Sequence, residues 1–190
     1  MSYKINTQNE LLLNTLQKYY SNNDYKYLDI ILPILNGESN ISLRLIDWFV
    51  TNYAKKHYTV FNVTKKKELT RFKVFMDYKL KLKAYKKKRF DPFCRWERIT
   101  IPYRNGNLIQ TTLGQLNFFH WALENEILDY IVQHKTNIEN DMNKRNSTAK
   151  IKNKDDNVMN NKTRKKRHEL SISATKSIKK EEVEIIIKFN

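Results

Sequence analysis

The chain has 190 residues, 40% of them hydrophobic and 12% aromatic, and its 36 Lys and Arg against 20 Asp and Glu give a formal net charge of +16. That length suits one domain with a tail rather than two domains. The single cysteine, Cys94, excludes an intramolecular disulfide and a zinc site built from paired cysteines, and no apolar run approaches the roughly 18 residues that a membrane span needs.

Residues 7–20 are predicted as a helix, because Thr7 and Glu10 form a capping box just ahead of Leu11, Leu12, Leu13 and Leu16. The apolar run from Tyr27 to Leu35 contains Pro33, so it reads as a short helix ended at Leu32 or as an extended segment, with a turn at Asn36-Gly37. Ser42 is the expected N-cap of a helix over 42–57, in which Leu43, Ile46, Phe49, Val50 and Tyr53 recur at helical spacing. Residues 58–63 read as a strand, and Lys65, Lys66 and Lys67 as a loop. Over 72–89, Phe72, Phe75, Tyr78, Leu82 and Tyr85 make a helical stripe, while Val74, Met76, Tyr78, Leu80 and Leu82 also alternate as a strand would. The length of the run and its helix-forming end at Lys86, Lys87 and Lys88 favour helix.

A β-hairpin is predicted over 99–112, with Asn105-Gly106 as a two-residue turn and Pro102, which has no amide donor, placing the first strand at an edge. The strongest helical pattern covers 113–134: Thr112 and Gln115 make a second capping box, and the segment is apolar over most of its circumference, as in a central buried helix. The composition of 143–180 cannot offset the entropy of ordering, so a disordered basic tail is expected there. The β-branched run 183–189 is the likeness of a strand, within a short C-terminal β segment at 181–190. The expected fold is α+β: a helix-dominated single domain over 1–142 with a small β-hairpin, followed by the disordered tail.

The charge is unevenly placed. Residues 1–64 hold six Lys and Arg against five Asp and Glu, whereas 65–104 hold fifteen against four, a net of +11. An AT-rich coding bias would enrich lysine everywhere and does not account for the neutral first third. A cationic block attracts polyanions, and the pI of about 9.8 is that of a nucleic-acid-binding domain. Within residues 78–98, Lys79, Lys81, Lys83, Lys86, Lys87, Lys88, Arg89, Arg95 and Arg98 interleave with Tyr85, Phe90, Phe93 and Trp96. Cations of this kind neutralise phosphates, and exposed rings stack on bases. The competing reading is a solvated helix face with its rings turned into the core, and for the rings that reading is favoured. A second basic run, Lys162, Arg164, Lys165, Lys166 and Arg167, suits a nuclear localisation signal or a nucleic-acid-grasping arm.

Other chemistry is poorly supported. Three glycines leave no room for a phosphate-cradling loop, no catalytic or metal-ligand motif occurs, and no cofactor is implied. Cys94 beside Arg95 has no histidine near it in sequence, and a buried structural cysteine is the better reading. A helix-turn-helix broken at Glu124-Asn125-Glu126 is disfavoured, since acidic residues stand where a recognition helix would begin. The residues Phe90-Asp91-Pro92-Phe93-Cys94-Arg95-Trp96-Glu97-Arg98 look instead like a structural corner, with Asp91 pairing to Arg89 or Arg95 or capping a turn.

That segment, together with Thr111-Thr112-Leu113-Gly114-Gln115-Leu116-Asn117-Phe118-Phe119, resembles a group of uncharacterised proteins of nucleocytoplasmic large DNA viruses of protists and algae. The resemblance covers roughly residues 40–145. It implies a viral origin and a host-cell setting such as a cytoplasmic viral factory, and it carries over no site residue; the sequence itself suits an intracellular place, in the host cytoplasm or nucleus, with the virion as a further alternative. The expected function is a nucleic-acid-binding accessory protein that makes non-specific phosphate contacts with DNA or RNA. The alternative is a structural or assembly protein of a large DNA virus that binds an acidic protein partner.

Overall fold

The computed structural model describes residues 7–22, 24–65, 68–155 and 180–181. The first helix, α1 (Gln8–Ser21), begins as its sequence dictates: Thr7 accepts from the Glu10 amide at 3.3 Å, and Glu10 accepts from the Thr7 amide at 2.7 Å. Helix α2 (Lys26–Asn36) runs straight through Pro33, contrary to the expected stop at Leu32. Buried Leu28, Ile31, Leu32, Ile34 and Leu35 lie on both sides of the proline, and their burial outweighs the lost backbone bond. Gly37, at φ +76°, closes the helix in a left-handed cap.

The expected helix over 42–57 is present but not regular. Ser42 caps α3 (Leu43–Trp48) by accepting from the Leu45 amide at 3.1 Å, a π-turn follows at Phe49–Tyr53, and α4 (Ala54–Lys56) completes the segment. Strand β1 (Val60–Lys65) pairs antiparallel with β2 (Glu68–Lys73), so Phe72 and Lys73 belong to a hairpin that the helical stripe concealed. Helix α5 (Val74–Tyr85) then fills most of the ambiguous segment. It ends short of the lysine run. Lys86 takes φ +61°, ψ 161°, and Lys87–Arg89 form one 3-10 turn.

The second hairpin joins β3 (Arg98–Pro102) to β4 (Leu108–Thr112), with Arg98 opposite Thr112 and Pro102 opposite Leu108. Its connection is longer than a two-residue turn. Arg104–Gly106 form a 3-10 turn, Gly106 sits at φ +75°, and the Tyr103 amide donates to the Asn107 carbonyl at 2.8 Å. Arg104 and Tyr103 are both drawn to Asp29 of α2, which anchors this longer loop to the helical layer. Strand β3 does lie at the sheet edge, as Pro102 requires, and the short β5 (Lys180–Glu181) pairs on the other side of β4. The run 183–189 lies outside the described residues.

Helix α6 (Leu113–Glu124) is the centre of the molecule, with Leu113 to Phe119, Trp121 and Ala122 all buried. The predicted helix over 113–134 is in fact two helices. Glu126 adopts a left-handed φ of +54°, Asn125 closes α6 by folding its side-chain amide onto the Trp121 carbonyl at 2.7 Å, and α7 (Ile127–Gln133) follows. The apolar stripe runs on because both helices bury it against the same core. Tyr20 ties α1 to α6 through its hydroxyl, which donates to the Leu116 carbonyl at 2.8 Å. Phe61 stacks on Tyr130 at 4.8 Å, seating the first hairpin on α7. Helix α8 (Lys135–Asp155) crosses the boundary expected at 142: buried Ile138 and the bond from Trp48 Nε1 to Asp141 at 3.1 Å fix its first turns, and the helix propagates from them. The fold is α+β and helix-dominated, with a two-stranded and a three-stranded antiparallel sheet among the described residues. Among the described residues no helix is long and apolar enough to cross a membrane.

Candidate nucleic-acid interface

The two distinctive stretches of sequence, far apart in the chain, meet. The backbone of 89–94 lies across the N-terminus of α6 and is tied to it by hydrogen bonds. The Asp91 amide donates to the Gly114 carbonyl at 3.3 Å, Gln115 Nε2 to the Pro92 carbonyl at 3.2 Å, Asn117 Nδ2 to the Arg89 carbonyl at 2.8 Å, and Thr112 Oγ1 to the Cys94 carbonyl at 3.2 Å. Asp91 is the corner that the sequence suggested: its carboxylate accepts from the Phe93 amide at 2.9 Å and its carbonyl from the Cys94 amide at 3.1 Å. Gly114 makes the approach possible, because a β-carbon there would lie 2.9 Å from Cys94 Cβ and 3.0 Å from the Lys88 carbonyl.

Cys94 is buried in this junction, with Sγ 3.5 Å from the Lys88 carbonyl and 3.8 Å from that of Trp96. His57, His120 and His134 are engaged elsewhere. His120 contacts Tyr19 and Glu124, His134 stacks on Tyr130, and His57 packs on Tyr53 beside Asp141.

The junction displays the cations. Lys86 is exposed just before the 3-10 turn, Lys87 and Lys88 are exposed on it, and Arg95 and Arg98 are exposed on the neighbouring loop and strand. The Lys88 and Cys94 contact holds the two segments side by side. Lys87 lies 3.8 Å from Asp91, Arg98 Nη1 donates to Gln110 at 2.8 Å, and Arg89, half-buried, reaches Gln8 at 3.0 Å. Lys86, Lys88 and Arg95 make no ion pair among the described residues.

On α5, Lys79 and Lys83 share an exposed face one turn apart, while Lys81 is half-buried on another side, so the three do not form one row. Lys79 lies 5.7 Å over the Phe75 ring. The tail residues Lys162, Arg164, Lys165, Lys166 and Arg167 lie outside the described residues.

Of the four rings in this stretch, Phe90 is buried among Phe118 and Trp121, while Tyr85 and Phe93 are half-buried against the core. Trp96 alone stands out, 81% exposed. Beneath the cations lies Asp47 of α3, whose carboxyl is pushed up to about 6 by burial and by the charge of Asp91, with Lys87 opposing the shift. Periodicity alone gave no sign of Asp47, because its neighbours come from other elements.

A second cationic cleft, of about 330 Å³, lies between the π-turn and α8, lined by Asn52, Lys56, Asp141, Lys144 and Arg145. It is internally neutralised in part. Burial would raise the Asp141 carboxyl, but hydrogen bonds from Lys56 and Trp48 and the charge of Lys56 hold it below its ordinary value. Arg145 covers the Trp48 ring at 5.4 Å.

A family model described as "Family of unknown function (DUF7197)" matches residues 1–189. The chain belongs to this family. A relative of this DUF7197 chain, "Uncharacterized protein L507" of Acanthamoeba polyphaga mimivirus, is 42% identical over 156 residues, which cover 80% of the chain and 60% of the relative. The chain therefore spans less than two thirds of that protein's length. The relative is an uncharacterised viral protein, in keeping with the viral resemblance, and the family match covers nearly the whole chain. No solved structure matches.

Proposed function

We propose that this protein is a nucleic-acid-binding accessory protein of a large DNA virus, gripping phosphates without reading bases. The observation that supports it is the corner at which Lys86, Lys87, Lys88, Arg95 and Arg98 are held together by the junction, with Lys87 paired to Asp91. Exposed ammonium and guanidinium groups on a fixed backbone release counterions from a polyphosphate, a sequence-independent gain that salt erodes. The setting proposed is the host cytoplasm, in a viral factory, or the nucleus.

The test is a fluorescence-anisotropy titration of labelled duplex DNA and single-stranded RNA at roughly 50 and 200 mM salt. Affinity should fall steeply with salt. Replacing Lys86, Lys88 and Arg95 by Ala should weaken binding at least ten-fold at the lower salt and flatten the salt slope by about 3. An unaltered affinity in that variant removes the site from consideration.

A second reading, a structural or assembly protein with an acidic partner, has its own support on α5. Met76 and Leu80, 59% and 64% exposed, share a face with Lys79 and Lys83. That mixture of apolar and cationic groups suits an acidic amphipathic helix. If neither nucleic acid binds at the lower salt, this reading takes first place.

A further inference from the structure

The cationic corner carries an aromatic ring that phosphate binding alone does not use, and its position rather than its type is informative. Trp96 is 81% exposed, and of the three tryptophans it alone points into solvent: Trp121 is buried and bonded to Asp77, and Trp48 is half-buried under Arg145 with its Nε1 on Asp141. A large exposed apolar ring loses free energy to water unless something covers it. The loop bearing it is not slack. The Cys94 carbonyl, two residues before, accepts from Thr112, and Arg98, two residues after, is paired with the same Thr112 in the hairpin. Both feet of the loop thus rest on one residue at the N-terminus of α6. Glu97 completes the bend at a left-handed φ of +55°, and the Trp96 carbonyl faces Cys94 Sγ.

We infer that Trp96 is a base-stacking platform and that the ligand of the cationic corner is a single-stranded nucleic acid, DNA or RNA. The inference rests on the phosphate-binding reading and narrows its substrate. In a duplex the base faces are covered by their neighbours, and a ring beside the backbone gains little. In a single strand a base can leave the stack and lie on the indole while the flanking phosphates meet Arg95, Arg98 and Lys88. Stacking of this kind tolerates any base, because every base has a π-face. The fixed loop matters because a ring on an anchored backbone loses less freedom on binding than one on a slack loop.

The experiment uses the full chain with a labelled single-stranded deoxythymidine oligonucleotide and a mixed-sequence duplex, at low salt, for wild type, Trp96→Ala and Trp96→Phe. Intrinsic fluorescence is recorded in parallel, and circular dichroism checks each fold. The expected result is tighter binding of the single strand, with quenched tryptophan emission. Trp96→Ala should lower single-strand affinity by about ten-fold, leave duplex affinity unchanged and abolish most of the quenching. Trp96→Phe should recover most of the affinity. Equal losses for both ligands, or no loss for either, overturn the platform while leaving phosphate binding by the lysines and arginines in place. Failure of wild type to bind either ligand overturns both readings together and makes Trp96 an anchor for a protein partner instead.

Discussion

The junction at the N-terminus of α6 and the cationic corner it supports are separated by a few residues, yet they are built on opposite terms. In the junction, Gln115, Thr112, Asn117 and Asp91 each find partners, and Gly114 leaves no room for a methyl group. In the corner, Lys86 holds a backbone conformation that suits glycine, and Lys86, Lys88 and Arg95 point outward without ion pairs among the described residues. Buried polar groups must be satisfied, so the junction is determined by stability. A row of like charges gains nothing from folding and repels itself, so the corner is where the proposed ligand would act. The strings of sequence that look most distinctive are thus the scaffold, and the residues proposed for function are those the scaffold displays.

The sharpest way to break this contrast is Gly114→Ala. The added methyl group would meet Cys94 Cβ and the Lys88 carbonyl at 2.9 and 3.0 Å, so denaturant unfolding should show a loss of about 1–3 kcal/mol. Nucleic-acid affinity should fall with it, because the same shift separates Lys88 from Arg95. An unchanged stability would mean that the junction yields and is not the scaffold described.

Lys86→Gly should separate the two regions in the opposite sense. Relief of the φ +61°, ψ 161° conformation offsets the extra freedom of glycine in the unfolded chain, and stability should rise by about 1 kcal/mol. Affinity for nucleic acid should nevertheless drop, since one cation is gone. A variant that is both less stable and equally tight in binding would contradict the assignment of strain and site alike.

A pH dependence is expected at Asp47, on which Asp91 of the junction and Lys87 of the corner both act. Its folded pKa, raised from 3.8 to about 6 by burial first and by Asp91 second, lies above that in the unfolded chain. The native state therefore binds the proton more tightly, and this contribution to stability is full below about pH 4 and is lost as pH rises through 6. Asp47→Asn should raise the melting temperature at pH 7 and change it little at pH 4. An equal change at both pH values would show that the charge is not the cause.

Much of the local structure was legible in the chain because local chemistry decides it. Thr7 with Glu10, Ser42 and Thr112 start their helices where their side chains can accept amide bonds. The apolar pattern after Thr112 marks the central helix, and the charge count isolates the cationic block. Pairing and long-range packing were not legible. Strand β2 hides in a segment whose stripe also fits a helix, and only pairing with β1 distinguishes the two. Pro33 stays inside α2, and Glu126 divides the long stripe, because burial on both sides outweighs backbone preference. The sequence by itself determined the helix starts, the basic block and the family to which the chain belongs. Which cations share a surface, and the outward stance of Trp96 with both feet on Thr112, were decided by tertiary structure alone, because they depend on hydrogen bonds between segments some twenty residues apart.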